Sequence, residues 1–219
     1  MHVIEAIVGG VETPDVPAEV GVGPHPKPWP VGAHFDPELL AEGDRRNVVD
    51  KYRYWTLEAV VADLDTKRHR FHVAIENFLH DFNIGSVVRT ANAFMAKEVH
   101  IVGKKRWNRR GAMVTDRYQH VRHHTDPVAL AEWARENEMV IIGIDNVPGS
   151  VPLETCVLPE RCMLLFGQEG EGLSVEARAV CDSVLSIAQC GSTRSINVGA
   201  AAAIAMHAWI RQHRFGQLP

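Results

Sequence analysis

The sequence predicts an α/β fold, with a mostly parallel six-stranded sheet and helices on both faces. Two observations support this fold class. From residue 70 onward, short apolar runs alternate with segments of helical periodicity. The 219-residue chain also contains 46% hydrophobic and 23% charged residues, which are proportions typical of a globular protein. Strands that alternate with helices lie parallel, because each helix returns the chain to the same edge of the sheet.

The apolar runs define the individual strands and the periodic segments define the helices. Strands are predicted at 71–75, 99–102, 121–124, 140–144, 162–166 and 184–187. Helices are predicted at 84–94, 127–137, 175–180 and 195–212. Asp126 and Ser174 precede two of these helices, and both residue types favour the N-cap position. Pro127 suits the first position of its helix, where no backbone N–H is needed.

The N-terminal third has a different composition. Residues 1–37 contain seven of the 12 prolines and one cation, Lys27, which indicates a Pro/Gly-rich arm of flexible or irregular structure. Residues 38–69 carry apolar side chains at helical spacing and predict an N-terminal helical extension. Residues 70–219 then form the main domain.

Several functional classes are disfavoured. The longest run of small apolar residues, Val198–Met206, is too short to cross a bilayer, and the N-terminus lacks the pattern of a signal peptide. The four cysteines lack C-x-x-C spacing, so we expect reduced thiols, a cytoplasmic protein and no membrane partner. The usual glycine-rich dinucleotide fingerprint, the P-loop and the G-x-S-x-G nucleophile motif do not occur.

The formal net charge is −4, but one segment is strongly basic. Residues 104–122 contain seven lysines and arginines and a single acid, Asp116. A basic segment on an acidic protein suggests a surface that binds a polyanion, and Trp107 among the cations suits base stacking. The alternative is a solvated basic loop. The candidate RNA-binding residues are Lys104, Lys105, Arg106, Arg109 and Arg110.

Three further segments stand out. The first, 77–94, contains Asn83 at a predicted strand-to-helix junction and Arg89 six residues later. The second, 164–174, runs from a strand into a loop with three glycines and two glutamates, which brings backbone groups close to any ligand there. The third, 187–209, is a polar loop followed by an alanine-rich helix. Taken singly, each also fits a helix cap or an ordinary connecting loop.

Together and in this order, the three segments resemble the motifs of the SpoU (TrmH-like) branch of the SPOUT RNA methyltransferases, over about residues 70–213. The resemblance implies an α/β domain with a C-terminal trefoil knot, a homodimer and the cofactor S-adenosylmethionine. It also implies a ribose 2′-hydroxyl in tRNA or rRNA as the methyl acceptor.

The resemblance also implies roles for individual residues. Gly167, Ile187 and Ile196 match positions that hold the cofactor through backbone groups. Arg89 matches the catalytic arginine, and the polar residues around it are Asn83, Glu169, Ser195 and Asn197. Two positions depart from the family pattern. Met95 stands where many relatives have glycine, and Ala188 stands where proline is common.

We therefore expect a ribose 2′-O-methyltransferase that acts on structured RNA. The chain is too short for a large separate RNA-binding domain before the catalytic one, which favours tRNA over rRNA. A ribosomal RNA enzyme, a base methyltransferase and a non-catalytic RNA-binding factor with the same fold are the alternatives. His120, His123 and His124 resemble a metal motif, but the neighbouring arginines repel a cation, so we interpret them as titrating surface residues and expect no metal.

Overall fold

The computed structural model describes residues 21–78, 83–168 and 170–219. The described residues divide into two compact units, with the boundary between Thr56 and Leu57. Within the described residues, no helix has both the length and the apolar character that crossing a bilayer requires.

The described residues of the smaller unit, 21–56, contain one short α-helix, α1 (Pro37–Glu42), and one 3-10 turn, Asp50–Tyr52. The expectation of a helical extension over 38–69 is therefore wrong for the segment between α1 and α2 (Leu57–Asp65), apart from that turn. The buried carboxylate of Asp44 organises this segment instead. It accepts hydrogen bonds from the Arg46 side chain and from the backbone N–H of Tyr54, which an α-helix would use internally.

The larger unit contains a seven-stranded sheet in which every neighbouring pair of strands is parallel. The strands are β1 (His72–Asn77), β2 (Val99–Gly103), β3 (Val121–His124), β4 (Val140–Ile144), β5 (Val151–Pro152), β6 (Cys162–Phe166) and β7 (Ser183–Ser186). Their order across the sheet is β3-β2-β1-β6-β4-β7-β5. The predicted count of six omits β5, because a two-residue strand carries no hydrophobic pattern.

Among the described residues, the remaining α-helices are α3 (Ile84–Ala93), α4 (Pro127–Glu136), α5 (Val175–Ala179) and α6 (Val198–Phe215). The predicted caps are confirmed, since Asp126 accepts from the N–H of Ala129 at 2.9 Å and Ser174 from that of Ala177 at 3.0 Å. The predicted start of α6 at Ser195 is wrong. Asn197 caps this helix by accepting from the N–H of Gly199 at 2.9 Å, so the first helical residue is Val198.

The helices cover both faces of the sheet, as expected. Val88 of α3 and Met206 of α6 belong to one hydrophobic core, and Leu130 of α4 and Ala177 of α5 belong to the other. Because all neighbouring strands are parallel, their carboxyl ends lie at one edge of the sheet, which we call the carboxyl edge. The strand starts lie at the opposite edge, which we call the amino edge. The C-terminal trefoil knot stays a prediction.

Candidate functional site

A cleft of about 480 Å³ lies at the carboxyl edge, beside the ends of β4 and β6. Five of the residues that the sequence singles out line this cleft. They are Gly167, Ile187, Ser195, Ile196 and Asn197. The second and third motifs, which are separated along the chain, thus build the two sides of one cavity.

The glycine-rich loop after β6 folds tightly back on itself. The N–H of Gln168 donates to the carbonyl of Gly172 at 3.0 Å, and the N–H of Gly172 donates to the carbonyl of Gln168 at 3.1 Å. A Cβ at Gly167 would overlap the backbone of Gly172. Glycine is therefore required at Gly167, and it leaves the backbone open toward the cleft.

Two carboxylates hold the far end of this loop. Asp145 Oδ2 accepts from the N–H of Leu173 at 2.9 Å. Glu76, on β1, accepts from the N–H of Ser174 at 2.8 Å and from its hydroxyl at 2.6 Å. Burial raises the pKa of Glu76, and the Ser174 hydrogen bonds oppose this shift. Sequence reasoning missed Glu76, which directly follows the predicted strand at 71–75 and is a buried part of β1 in the structure.

One contact joins the first motif to the third. Asn197 Nδ2 donates to Asn83 Oδ1 at 3.0 Å, while Asn197 Oδ1 caps α6. The cap interpretation is therefore correct for Asn197. It is wrong for the Asn83 side chain, which makes no capping hydrogen bond at the start of α3.

The other predicted catalytic residues are distributed around the cleft. Ser195 is an exposed part of its lining. Arg89 is exposed on α3 and is not among the lining residues. The Arg89 guanidinium makes no hydrogen bond or ion pair to the residues that the structure describes, so it is available to a ligand. Glu169 lies outside the described residues.

The cleft also holds polar residues that sequence reasoning did not select. Gln189 lines it, and its side-chain oxygen is buried with no hydrogen-bond partner among the described residues. A buried acceptor without a partner costs about 1–3 kcal/mol, which a ligand donor can recover. Asn146 Nδ2 donates to the carbonyl of Arg194 at 3.4 Å and connects the end of β4 to the third motif.

The two departures from the family pattern have distinct structural settings. The N–H of Ala188 donates to Glu154 Oε1 at 2.9 Å, a hydrogen bond that proline could not make. Met95 has φ of 55° and follows the last turn of α3. The N–H of Met95 donates to the carbonyl of Asn92, and the N–H of Ala96 donates to the carbonyl of Ala91. These two hydrogen bonds form a Schellman C-cap, a motif that favours glycine at position 95.

The basic residues that follow β2 lie at the same edge of the sheet as the cleft. Asn77, the last residue of β1, donates from Nδ2 to the carbonyls of Lys104 at 2.6 Å and Arg106 at 2.9 Å. Trp107 is half-buried against the core, and the Arg109 guanidinium lies 5.7 Å from its ring centroid. All five candidate cations are exposed: Lys104, Lys105, Arg106, Arg109 and Arg110.

The three histidines of the H-x-x-H-H motif point to separate partners. His120 Nε2 lies 2.8 Å from Asp65 Oδ1, and His123 Nε2 lies 2.7 Å from the carbonyl of Gly103. His124 Nε2 lies 2.9 Å from His100 Nδ1. The surface interpretation is wrong for His124, which is buried, and burial lowers its pKa.

Comparison with known proteins identifies the family. A family model described as the SpoU rRNA methylase family matches residues 70–207. An uncharacterized tRNA/rRNA methyltransferase of Synechocystis sp. is 31% identical over 180 residues, which cover 76% of this chain and 45% of that protein. A protein of the same description from Mycobacterium ulcerans is 30% identical over 156 residues, covering 65% of this chain and 47% of its own length. The chain thus spans about half the length of these curated relatives.

Solved structures have the same fold. The SpoU methyltransferase AviRb from Streptomyces viridochromogenes, crystallised with AdoMet, superimposes with a TM-score of 0.62 at 24% identity, over 71% of this chain and 62% of that one. The TrmH/SpoU tRNA modifying enzyme from A. aeolicus superimposes with a TM-score of 0.65 at 21% identity, over 73% of this chain and 83% of that one. The SPOUT fold predicted from the three motifs is therefore confirmed, and the chain belongs to the SpoU methylase family.

Proposed function

We propose that this protein is an S-adenosylmethionine-dependent RNA methyltransferase that modifies a ribose 2′-hydroxyl, with tRNA as the favoured substrate. The observation that carries the proposal is the Asn83–Asn197 hydrogen bond at the cleft, which brings the first motif to the other two. The relatives named as tRNA/rRNA methyltransferases and the neighbour crystallised with AdoMet support the same reaction class.

The residues of the cleft fit the cofactor. Gly167 leaves the backbone bare where a side chain would collide, and the unpartnered oxygen of Gln189 accepts from an amino group. Ile187 and Ile196 offer apolar surface, and the Asp145 carboxylate suits a positively charged ligand. When bound, the cofactor supplies a methyl group activated by a positively charged sulfur.

Arg89 binds the RNA in this proposal. A guanidinium pKa above about 12 makes arginine a poor general base, whereas its planar fork suits a phosphate. Arg89 therefore holds the phosphate beside the target ribose and polarises the 2′-hydroxyl, whose proton passes to solvent water as the oxygen is methylated. Asn83, Asn197 and Ser195 orient the reacting groups, and Glu169 orients Arg89 or Asn197. Positioning of this kind can lower a barrier by about 7–11 kcal/mol.

The substrate approaches from the carboxyl edge. The five exposed cations after β2 lie at that edge, where Asn77 binds the backbone carbonyls of Lys104 and Arg106. They contact RNA phosphates, which position the substrate and carry no sequence information. Recognition through shape and phosphates suits a folded RNA such as tRNA.

A homodimer completes the proposal. The exposed side of α6 carries small residues together with Ile204, which is 43% exposed, and a groove of about 450 Å³ runs between this helix and Phe94. Ala203 and Ala208 in the groove permit close helix packing. This face is the dimer interface in our proposal.

The test is a methyl-transfer assay. Purified protein is incubated with methyl-labelled S-adenosylmethionine and unmodified total RNA, which is then separated into tRNA and rRNA. Label in tRNA is expected, and mass analysis of nucleosides should show the methyl group on ribose with an unmodified base. Label in rRNA or on a base would correct the substrate or the acceptor. Cofactor binding without labelling of any RNA would instead favour a non-catalytic RNA-binding factor.

A further inference from the structure

A second basic surface lies at the amino edge of the sheet, opposite the cleft. Two adjoining grooves, of about 600 Å³ and 570 Å³, run along this edge and share the segment Arg68–Arg70. Strands of five residues, with a rise of about 3.3 Å per residue, separate this edge from the cleft by roughly 15 Å. The grooves share no lining residue with the cleft and are spatially separate from it.

Cations from separate parts of the chain line these grooves. We call this surface the amino-edge face. Its positive side chains are Lys67, Arg68, Arg70, Lys97, Arg122, Arg161 and Arg214. Its carboxylates are Asp65, Glu98 and Glu160. Lys67 and Arg161 also pair with Asp63 and Glu138, which lie just outside the grooves. Seven cations against these five acids leave an excess of two positive charges, on a chain whose formal net charge is −4.

Arg68 is structural. Its side chain is buried and binds Asp65 Oδ1 at 2.6 Å, Gln119 Oε1 at 2.8 Å and the carbonyl of Tyr118 at 2.6 Å. The Nε–H of Arg68 donates to Asp65 and is therefore not available to a ligand. The hydrogen bonds of Arg68 also fix the segment that carries the exposed Arg70.

The outer cations are available to a ligand. Arg70 is 61% exposed at its side chain and reaches Glu160 only at 3.5 Å. Lys97 and Arg214 are exposed and make no side-chain ion pair within the part of the chain that the structure describes. Salt bridges at such exposed positions contribute little to the free energy of folding. Stabilisation of the fold therefore does not account for the excess positive charge of the amino-edge face.

A metal ion is the competing occupant of this face. Possible ligand atoms of His72, Glu98 and His100 lie within 4.8 Å of one another. Arg122 Nε, however, donates to Glu98 Oε1 at 3.1 Å. Burial, together with Lys97, Arg161 and Arg122, lowers the pKa of His72 to about 4. The same cations would repel a metal ion and attract an anion.

We propose that the amino-edge face binds the phosphodiester backbone of structured RNA at a distance from the target ribose. The proposal rests on RNA being the substrate and adds a second contact region to the one beside the cleft. A folded RNA is large enough to extend beyond one edge of a domain of this size. Contacts of this type neutralise phosphates, release counterions and make binding depend on salt.

The test compares two variants that remove the same charge. Lys97→Ala/Arg214→Ala removes two positive charges from the amino-edge face, and Lys27→Ala/Arg45→Ala removes two exposed charges from residues that line neither groove. Affinity for unmodified tRNA is measured by fluorescence anisotropy from low to moderate salt. Each lost phosphate contact should reduce the slope of log K against log salt by about 0.7–0.9.

The expected result is a fall in affinity of about tenfold and a reduction of the slope by roughly 1 to 2 for the first variant. Its KM for RNA should rise, while kcat at saturating RNA and the Kd of the cofactor stay at wild-type values. Equal behaviour of the two variants, in binding and in slope, would overturn the proposal. RNA binding that depends on Lys97 and Arg214 without any methyl transfer would support this surface and reject the proposed activity. RNA that does not bind the wild-type protein would reject both.

Discussion

The side-chain amide of Asn197 donates to the side-chain carbonyl of Asn83 at 3.0 Å, across 114 positions of sequence. The same Asn197 side chain caps α6, so one residue fixes the start of a helix and the approach of another motif. Asn197 and Asn83 thereby hold the starts of α6 and α3 together beside the cleft. The contribution of this hydrogen bond to the free energy of unfolding can therefore be measured with variants of the two residues.

We expect Asn197→Ala to lower the free energy of unfolding by about 1–2 kcal/mol, because both the cap and the bridge are lost. A double-mutant cycle with Asn83→Ala should give a coupling of about 1 kcal/mol in urea unfolding. Asp126→Ala, which removes the N-cap of α4, is the matched control and should not couple to Asn83→Ala. A coupling of zero between Asn83 and Asn197 would contradict the bridge.

Arg89→Ala should reduce methyl transfer at least about 100-fold, while the Kd of the cofactor stays unchanged, because Arg89 does not line the cleft. Arg89→Lys should fail to restore turnover, since an ammonium cannot reproduce a bidentate phosphate contact. Arg135→Ala, on an exposed position of α4, serves as control. An Arg89→Ala enzyme within tenfold of wild type would remove Arg89 from the proposed mechanism.

Gly167→Ala should weaken cofactor binding at least about tenfold, measured by isothermal titration calorimetry on folded protein. The added Cβ overlaps the backbone of Gly172 and forces the loop open. Gly191→Ala is the matched control, because a Cβ there meets no atom within 4 Å in the described structure. Equal affinities for the two variants would show that the tight loop is not needed for binding.

Met95→Gly should make the protein more stable than Met95→Ala by about 1 kcal/mol, because only glycine adopts a left-handed conformation without strain. Comparing the two variants removes the common effect of losing the methionine side chain. The measurement is chemical unfolding at neutral pH. If the alanine variant proves as stable as the glycine variant, the φ of 55° at Met95 stores no strain.

Acidification should destabilise the protein through His72. Burial is the main cause that lowers its pKa from 6.5 to about 4, so the folded state keeps it neutral while the unfolded state takes up a proton. The contribution of neutral His72 to the free energy of unfolding is fully present above about pH 6.5 and is lost as the pH falls toward 4. The full shift from 6.5 to about 4 corresponds to about 3 kcal/mol.

His72→Gln should reduce this pH dependence of the unfolding free energy. His207→Gln, at an exposed position of α6, is the control and should leave it unchanged. An unaltered pH profile for His72→Gln would mean that His72 is not the group responsible.

Local interactions made much of the secondary structure predictable. The strand over 162–166 has the predicted bounds, and the caps at Asp126 and Ser174 are formed as expected. Apolar runs and capping side chains act within a few residues of the chain, so the sequence displays them directly. The start of α6 was not predictable in this way, because Ser195 and Asn197 are both capping residue types. The hydrogen bonds of Asn197 to Gly199 and Asn83 distinguish them.

The order and spacing of three motifs, which are properties of the sequence alone, determined the family and the location of most site residues. The tertiary structure decided which side chains support them. Glu76 and Asp145 hold the glycine-rich loop from two different strands, and Lys97 and Arg214 share a surface although they are far apart in the chain. The physical reason is the parallel sheet. It gathers strand ends at one edge and strand starts at the other, so residues without a common local pattern become neighbours only after folding.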